Sequence, residues 1–187
     1  MNIIKTGIEG PIIIEPRIFG DNRGYFFESF NSREFAEKTG LNINFVQDNE
    51  SKSRYGVLRG LHFQLPPYTQ SKLVRVVKGR VLDVAVDIRK GSPTYGKYVS
   101  CEMTEENHRQ FFVPKGFAHG FCVLSEEAVF QYKCDEFYHP EAEGAIAWND
   151  PEIAIQWPIS SNEVILSEKD MHHPCLKDFE SPFVFSL

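Results

Sequence analysis

The sequence predicts an all-β protein with a jelly-roll fold, in which two sheets form a sandwich or barrel and a few short helices lie at the periphery. Short strand-like segments recur at regular spacing along the 187 residues, and turns such as PKGFAHGF separate them. The 16 Phe and 7 Tyr also favour β structure. The length suits one domain spanning residues 1–187, which can bury roughly 70% of its unfolded surface without disulfides.

The first third of the chain predicts strands around one short helix. GPIIIEPRIF predicts a β-rich start, and GDNRGYFFESF predicts a turn followed by a strand. NSREFAEKTG predicts a helix, because Asn31 or Ser32 can cap its first turn and Gly40 can end it. INFVQDNESKS then predicts a strand that runs into a loop.

The rest of the chain predicts more strands and a second helix. KLVRVVKGRVLDVAVDIRKGS predicts a hairpin that turns near Lys78 and Gly79, because its second arm alternates between larger apolar residues and residues that are small or acidic. QFFVPKGFAHGFCVLSEEAVFQYKC predicts further strands separated by turns at PKG and SEE. The tail LSEKDMHHPCLKDF predicts another short helix, capped by Ser167.

Charge and composition exclude several classes of function. The net charge of −6 argues against a general nucleic-acid binder, although a local cluster of Arg and Lys can still hold a small anion. No opening segment is typical of a signal peptide, and no apolar run approaches the ~20 residues of a membrane span. The four cysteines lack CxxC spacing, which favours reduced, structural thiols in a cytoplasmic protein.

Four polar side chains are predicted to point into the interior. Strand alternation places His62, Lys72, His119 and Tyr132 each on a largely apolar face, so they can converge in one cavity. A core histidine or a core tyrosine with its hydroxyl at the rim is the simpler interpretation of each alone. Lys72 is the stronger signal, because lysine is almost never fully buried without a partner, although its long stem can also reach the surface.

Two acidic residues add to this set. Glu28 shares a face with Phe26 and Phe30, which again places a charge among apolar neighbours. Asp170 follows Ser167 at the spacing of a capping box, so it either closes a helix N-terminus or belongs to the same site.

The pattern does not predict a metal centre. Metal-binding jelly rolls use two closely spaced histidines, whereas His62 is followed by Phe63 and Gln64. Lys72 places a cation where a carboxylate ligand would help, and the adjacent side chains of His172 and His173 diverge. The prediction is therefore a site without metal.

Motifs along nearly the whole chain together resemble the dTDP-4-dehydrorhamnose 3,5-epimerase family, the cupin-type enzymes of deoxysugar biosynthesis. No single motif is specific, but the combination is. The motifs are FGDNRGYFFESF, FVQDNESKS, VLRGLHFQ, KLVRVVKGRVLDVAVDIRKGSPTYGK, VPKGFAHGF, YKCDEFYHPEAEGAIAWNDP and LSEKD.

The resemblance implies a jelly-roll homodimer that needs no metal or organic cofactor. It implies epimerisation of dTDP-4-dehydro-6-deoxy-D-glucose at C3 and C5, which gives dTDP-4-dehydro-L-rhamnose. By motif, His62 is the base, Asp170 its partner, Tyr132 the acid on the other face, and Lys72 lies near the C4 oxygen. The residues implied to contact nucleotide, diphosphate or sugar are Arg23, Glu28, Gln47, Asn49, Arg59, His119, Glu143 and Lys169.

The chemistry of epimerisation beside a ketone requires these residue types. A base removes a C–H proton, and histidine suits neutral pH. The resulting enolate carries negative charge on its oxygen, which a fixed cation such as Lys72 stabilises. Asp170 orients the imidazole, and Tyr132 returns a proton to the opposite face. Arginine binds phosphate oxygens in a fork, and Tyr138 or a phenylalanine can stack on thymine.

The strand pattern contains one conflict at Arg59. This residue has the opposite strand parity to His62, so it needs a β-bulge or a strand that begins only at Gly60.

Three rival functions are also compatible with parts of the sequence. A single-site epimerase acting only at C3 or C5 would use the same base and acid. A non-catalytic sugar-binding jelly roll would carry surface aromatics around a shallow site and would not need an inward lysine and histidine. A metal-dependent cupin enzyme would contain a bound metal ion, which metal determination on the purified protein would detect.

Overall fold

The computed structural model describes residues 1–186, and these form two large antiparallel sheets and one small one. In chain order the strands are Asn2–Lys5 (β1), Ile12–Glu15 (β2), Phe19–Asp21 (β3), Gly24–Phe26 (β4), Gln47–Arg54 (β5), Leu58–Gln64 (β6), Lys72–Lys78 (β7), Arg80–Asp87 (β8), Tyr98–Thr104 (β9), Gln110–Val113 (β10), Phe117–Val123 (β11), Glu127–Cys134 (β12) and Glu143–Ala145 (β13). The helices are one α-helix, Ser32–Thr39 (α1), and two 3₁₀ turns, Pro140–Ala142 and Leu176–Asp178.

The two large sheets face each other across a shared core. The six-stranded sheet has the order β1-β2-β10-β7-β12-β5, and the five-stranded sheet has the order β13-β6-β11-β8-β9. Val74 and Phe130 from the first sheet pack in one cluster with Val81, Ala85 and Phe121 from the second. The predicted jelly roll is therefore confirmed. No helix among residues 1–186 has both the length and the hydrophobicity to cross a membrane.

The outer faces of both sheets are also covered. Strand β8 buries Val84 and Val86 on the face away from the shared core, against Ile146 and Leu176 of the C-terminal part of the chain. Helix α1 packs Phe35 against the outer face of the six-stranded sheet. Burial on both faces explains why β8 is apolar along most of its length. Its two acidic residues, Asp83 and Asp87, are also buried.

The first helix forms as the sequence predicts. The side chain of Asn31 accepts a hydrogen bond from the Glu34 N–H at 3.1 Å, and Gly40 ends the helix with a φ of 75°. The strand after it differs from the prediction, because β5 begins only at Gln47 and continues to Arg54. Pairing with β12 along its whole length stabilises this polar strand despite its low β propensity.

The predicted hairpin at Lys78 and Gly79 is wrong. Strands β7 and β8 do meet at Gly79, but β7 pairs with β10 and β12 whereas β8 pairs with β9 and β11. The chain crosses from one sheet to the other at this turn. Both arms bury apolar side chains in the shared core, and that pattern is the same for a hairpin and for two strands facing each other.

The predicted helix in the tail is also wrong, because residues 168–171 form turns and the 3₁₀ turn follows only at Leu176. The capping contact itself is present: the Asp170 N–H donates to the Ser167 hydroxyl at 3.2 Å. Pro174 disfavours helical geometry in the residue before it, which leaves too few residues for a stable helix.

A β-bulge in β6 resolves the conflict over Arg59. His62 pairs with His119 and Arg59 pairs with Phe121. The two pairs are three residues apart on β6 but only two residues apart on β11, so β6 contains one extra residue. Arg59 and His62 can therefore point to the same side of the sheet. At Gly60, which has a φ of +128°, an added Cβ would lie 2.6 Å from the Gly120 Cα and 2.8 Å from the His119 carbonyl oxygen.

We predict that Gly60→Ala destabilises the protein more than Gly24→Ala does. Gly24 has nearly the same φ, +132°, but an added Cβ there meets nothing within 4 Å. The control variant therefore carries only the backbone strain of a non-glycine residue, about 1–3 kcal/mol. Gly60→Ala adds the clash with the Gly120 backbone. Urea unfolding measures both free energies, and equal losses would contradict close packing of β6 on β11.

Candidate active site

A cleft of about 480 Å³ opens between the two large sheets. His62 on β6 and His119 on β11 line it from the five-stranded sheet, and Lys72 on β7 and Tyr132 on β12 line it from the six-stranded sheet. The predicted convergence of these four side chains is confirmed. Two strands from each sheet thus face each other with polar groups in an otherwise apolar interior.

His62 is held by a buried carboxylate. Its Nε2 lies 2.6 Å from Asp170 Oδ1, and only 4% of the Asp170 side chain is exposed. The Ser167 hydroxyl donates to Asp170 Oδ2 at 2.8 Å, and His173 Nε2 lies 3.2 Å from Asp170 Oδ1. Burial alone would raise the pKa of Asp170, but the hydrogen bonds from His62, Ser167 and His173 outweigh it and lower the pKa to about 2.

This contact assigns the two imidazole nitrogens of His62. An ionised Asp170 accepts a hydrogen bond, so Nε2 carries the proton. Nδ1 makes no hydrogen bond within residues 1–186, and the ring lines the cleft. The free lone pair on Nδ1 is therefore the basic atom that this geometry offers to a ligand.

Lys72 is the cation of the cleft. Its Nζ lies 6.0 Å from the centre of the Tyr132 ring, and in the part of the chain that the structure describes no carboxylate pairs with it. Burial lowers the pKa of Lys72, and the electrostatic influence of Cys134, Asp83 and Glu143 partly offsets that effect. An ammonium without a fixed partner in a low-dielectric cleft is suited to an anionic or enolic oxygen.

Tyr132 supplies a hydroxyl from the opposite sheet. It lies on β12, whereas His62 lies on β6, so the two side chains approach the cleft from its two walls. Burial raises the pKa of Tyr132 above its ordinary value. The phenol consequently stays protonated at neutral pH and can donate a proton or a hydrogen bond.

His119 forms a second buried histidine–carboxylate pair. Its Nε2 lies 2.8 and 3.0 Å from the two carboxylate oxygens of Asp83, which is fully buried on β8. Burial raises the pKa of Asp83, and the charges of His119 and Lys72 oppose that shift. His119 is thus fixed in the wall of the cleft rather than free to move.

Four more of the predicted contact residues line the cleft: Arg59, Tyr138, Glu143 and Lys169. The Arg59 guanidinium donates two hydrogen bonds of 3.2 Å to the buried Ser53 hydroxyl. Lys169 Nζ lies 2.8 Å from Glu143 Oε2, and Tyr138 is about half exposed. A guanidinium, an ammonium and an aromatic ring at the rim can bind a diphosphate and a base.

The remaining predicted residues do not line this cleft. Gln47 accepts a hydrogen bond from the Tyr138 N–H at 3.0 Å, and Asn49 beside it lines another cavity of about 300 Å³. Arg23 is exposed and pairs with Asp21 at 2.6 Å, and Glu28 contacts Asn31 beside a third cavity. Their roles in ligand binding stay predictions.

The sequence did not point to several residues that support the site. Asp83 lies on the inward face of β8, and His173 turns toward Asp170 while His172 stays exposed, as adjacent side chains should. The i, i+3 spacing of Asp170 and His173 was the available signal, but it is meaningful only once the segment is known to turn. Ser53 carries no signal of its own.

Comparisons with known proteins identify relatives of this chain. The family profile described as dTDP-4-dehydrorhamnose 3,5-epimerase matches residues 5–178. A relative of that name from Shigella flexneri is 56% identical over 172 residues, covering 92% of this chain and 94% of the relative. A crystal structure of dTDP-6-deoxy-D-glucose-3,5-epimerase from Legionella pneumophila, in complex with dTDP-4-keto-L-rhamnose, superposes with a TM-score of 0.92. The two sequences are 53% identical, and the match covers 96% of this chain and 94% of the Legionella chain.

A more distant structure is a 3'-monoepimerase from Streptomyces bikiniensis in complex with dTDP-quinovose. It superposes with a TM-score of 0.86 and is 35% identical in sequence, and the match covers 92% of this chain and 86% of the Streptomyces chain. The family profile and the Shigella relative both extend over nearly all of this sequence. The chain belongs to the dTDP-4-dehydrorhamnose 3,5-epimerase family.

Proposed function

We propose that this protein is an isomerase that converts dTDP-4-dehydro-6-deoxy-D-glucose to dTDP-4-dehydro-L-rhamnose. The main support for this proposal is that His62, bound to a carboxylate, and a protonated Tyr132 face one cleft from opposite sheets, with Lys72 beside them. Relatives that are 56% and 53% identical bear the name of this epimerase. Isomerisation of this kind needs a base, an acid and a stabilised enolate, and the cleft contains a candidate for each.

His62 is the proposed base. Asp170 holds Nε2–H, so Nδ1 accepts the proton from the carbon beside the ketone, and the imidazolium that forms is stabilised by the same carboxylate. The bonding electrons move into the enolate, whose charge lies on the C4 oxygen. Proton transfer to a positioned base contributes about 10²–10⁴-fold to the rate.

Lys72 is the proposed stabiliser of the enolate. Because no carboxylate within residues 1–186 pairs with its ammonium, that charge is available to the C4 oxygen from the start. A preorganised donor of this kind contributes about 3–4 kcal/mol in other enzymes. The apolar walls of the cleft strengthen the attraction.

Tyr132 is the proposed acid. Inversion requires that the proton return to the face opposite the base, and a single base would have to cross the sugar ring to do this. Tyr132 stands on the other sheet and keeps its proton at neutral pH. The two-sheet sandwich thus supplies the two faces of the reaction.

The nucleotide half of the substrate is proposed to bind at the rim, where Arg59, Lys169 and Tyr138 lie. Arg23, Glu28, Gln47, Asn49, His119 and Glu143 complete the proposed set of contacts. We also propose that residues 1–187 are one domain, that the enzyme is a cytoplasmic homodimer, and that it needs no cofactor.

A single-site epimerase is the second candidate. The similarity to a 3'-monoepimerase favours it, since that protein shares the fold at 35% identity. Both reactions use the same base and acid, so the residues in the cleft do not separate them. A purely sugar-binding jelly roll is disfavoured, because it has no need for a lysine and a carboxylate-bound histidine inside the sandwich.

We predict that His62→Ala stops exchange of the C3 and C5 protons with solvent while dTDP binding persists. The side chain lost is the base, so the rate should fall by about 10²–10⁴-fold. NMR of the sugar nucleotide in D₂O measures exchange, and calorimetry measures binding. His172→Ala, which changes an exposed neighbour of the site, is the control and should exchange normally. A loss below tenfold in His62→Ala would remove His62 from the mechanism.

We predict that Tyr132→Phe exchanges substrate protons faster than it forms product. The variant keeps the ring and its packing but lacks the acid, so the enolate recaptures a proton from His62 on the original face. Once that proton has exchanged with D₂O, deuterium enters the sugar with retained configuration. NMR distinguishes labelled substrate from product, and dTDP binding confirms that the variant is folded. Epimerisation at the wild-type rate would show that Tyr132 is only a core tyrosine.

A further inference from the structure

A second histidine contacts the carboxylate that holds His62. His173 Nε2 lies 3.2 Å from Asp170 Oδ1, the same oxygen that His62 Nε2 approaches at 2.6 Å. The two imidazole rings are perpendicular, with their centres 5.8 Å apart. In the epimerisation described above His173 serves only as a hydrogen-bond partner of Asp170 and does not line the cleft.

The three side chains form a ligand set for a transition metal. One atom from each of His62, Asp170 and His173 lies within 4.8 Å of the other two. Ligands around one Zn²⁺ at about 2.0–2.2 Å lie roughly 3.3 Å from one another in a tetrahedron. The observed contacts of 2.6 and 3.2 Å are shorter than this spacing, so metal binding requires Asp170 to move slightly away from the two imidazoles. Two imidazoles and one carboxylate suit Zn²⁺, whereas Mg²⁺ prefers oxygen ligands.

The cleft leaves a fourth coordination position and a route to the site. The His62 side chain is 32% exposed and lines the cleft together with Asp170, which is 4% exposed, whereas His173 is 19% exposed and does not line the cleft. A water molecule or a substrate oxygen can therefore complete the coordination from the cleft side. Three protein ligands and one open position are typical of accessible zinc sites.

The charges around the site favour reversible binding over a resident ion. Asp170 is ionised and attracts a cation. Lys72 and Arg59 line the same cleft and repel one, while the charge of Lys169 is balanced by Glu143 at 2.8 Å. The two positive charges therefore disfavour a permanently bound metal cofactor.

We propose that His62, Asp170 and His173 form an inhibitory Zn²⁺ site. The inhibition, though not the binding, rests on the proposed role of His62 as the base. Zinc takes the lone pair of Nε2 in each neutral imidazole, and each ring moves its proton from Nε2 to Nδ1. In His62, Nδ1 is the atom that must accept the substrate proton, so the zinc-bound ring no longer has a free lone pair there. No proton is released and no group is oxidised.

The test compares chelated protein with zinc-loaded protein. After treatment with EDTA and removal of the chelator, the enzyme should epimerise the 4-keto sugar nucleotide at its full rate. Added ZnCl₂ should bind with about one ion per chain by calorimetry and lower the rate. EDTA should restore that rate, and MgCl₂ at the same concentration should have no effect.

Two neighbouring variants separate the site from general zinc binding. His173→Gln keeps an N–H donor for Asp170 but removes the imidazole ligand. Since loss of even an outer-shell partner costs about 10–100-fold in metal affinity, this variant should need at least tenfold more zinc for half inhibition. His172→Ala should retain the zinc sensitivity of the wild type. Each inhibition curve is scaled to the metal-free rate of its own variant.

Three results would overturn the proposal: no zinc binding to the wild type, equal sensitivity in His173→Gln, or activation by zinc. Activation of an enzyme that is inactive after chelation would also support a metal-dependent mechanism over the cofactor-free one. If the metal-free protein does not act on the sugar nucleotide but still binds zinc through His173, then the proposed function fails and the metal site stands.

Discussion

The hydrogen bond between Asp170 and His62 is the interaction on which the site depends. It buries a carboxylate that is only 4% exposed, and burial of a charge is costly unless donors surround it. Ser167, His62 and His173 supply those donors, so the turn after residue 166 is held against β6. The same bond places the proton on Nε2 and leaves Nδ1 basic. One contact therefore anchors the tail and prepares the base.

The two-sheet architecture places the proposed base and the proposed acid on opposite sides of the cleft. Inversion at carbon needs proton donors and acceptors on both sides of a sugar ring, and the sandwich presents His62 from one sheet and Tyr132 from the other. The bulge in β6 brings Arg59 to the same side as His62, which a regular strand would forbid. The close approach of β6 to β11 at Gly60 and Gly120 makes that bulge possible.

The sequence was informative where burial conflicts with polarity and uninformative where the chain changes direction. Alternation alone located His62, Lys72 and Tyr132 in one interior, because each polar group stands in an apolar face. The hairpin at Gly79 was mispredicted, since facing strands and paired strands share one pattern. The tail was mispredicted as a helix, because the capping contact of Ser167 forms in a turn as well. Asp83 and His173 became visible only when the fold brought them to their histidine or carboxylate partners.

The proposed reaction removes and returns protons at two carbons of one sugar within this cleft. The most direct test is a reaction of the wild-type protein with dTDP-4-dehydro-6-deoxy-D-glucose in D₂O, followed by NMR of the product. We expect deuterium at both C3 and C5, each with inverted configuration. Label and inversion at only one carbon would show a single-site epimerase, and a product without deuterium would contradict proton transfer through these residues.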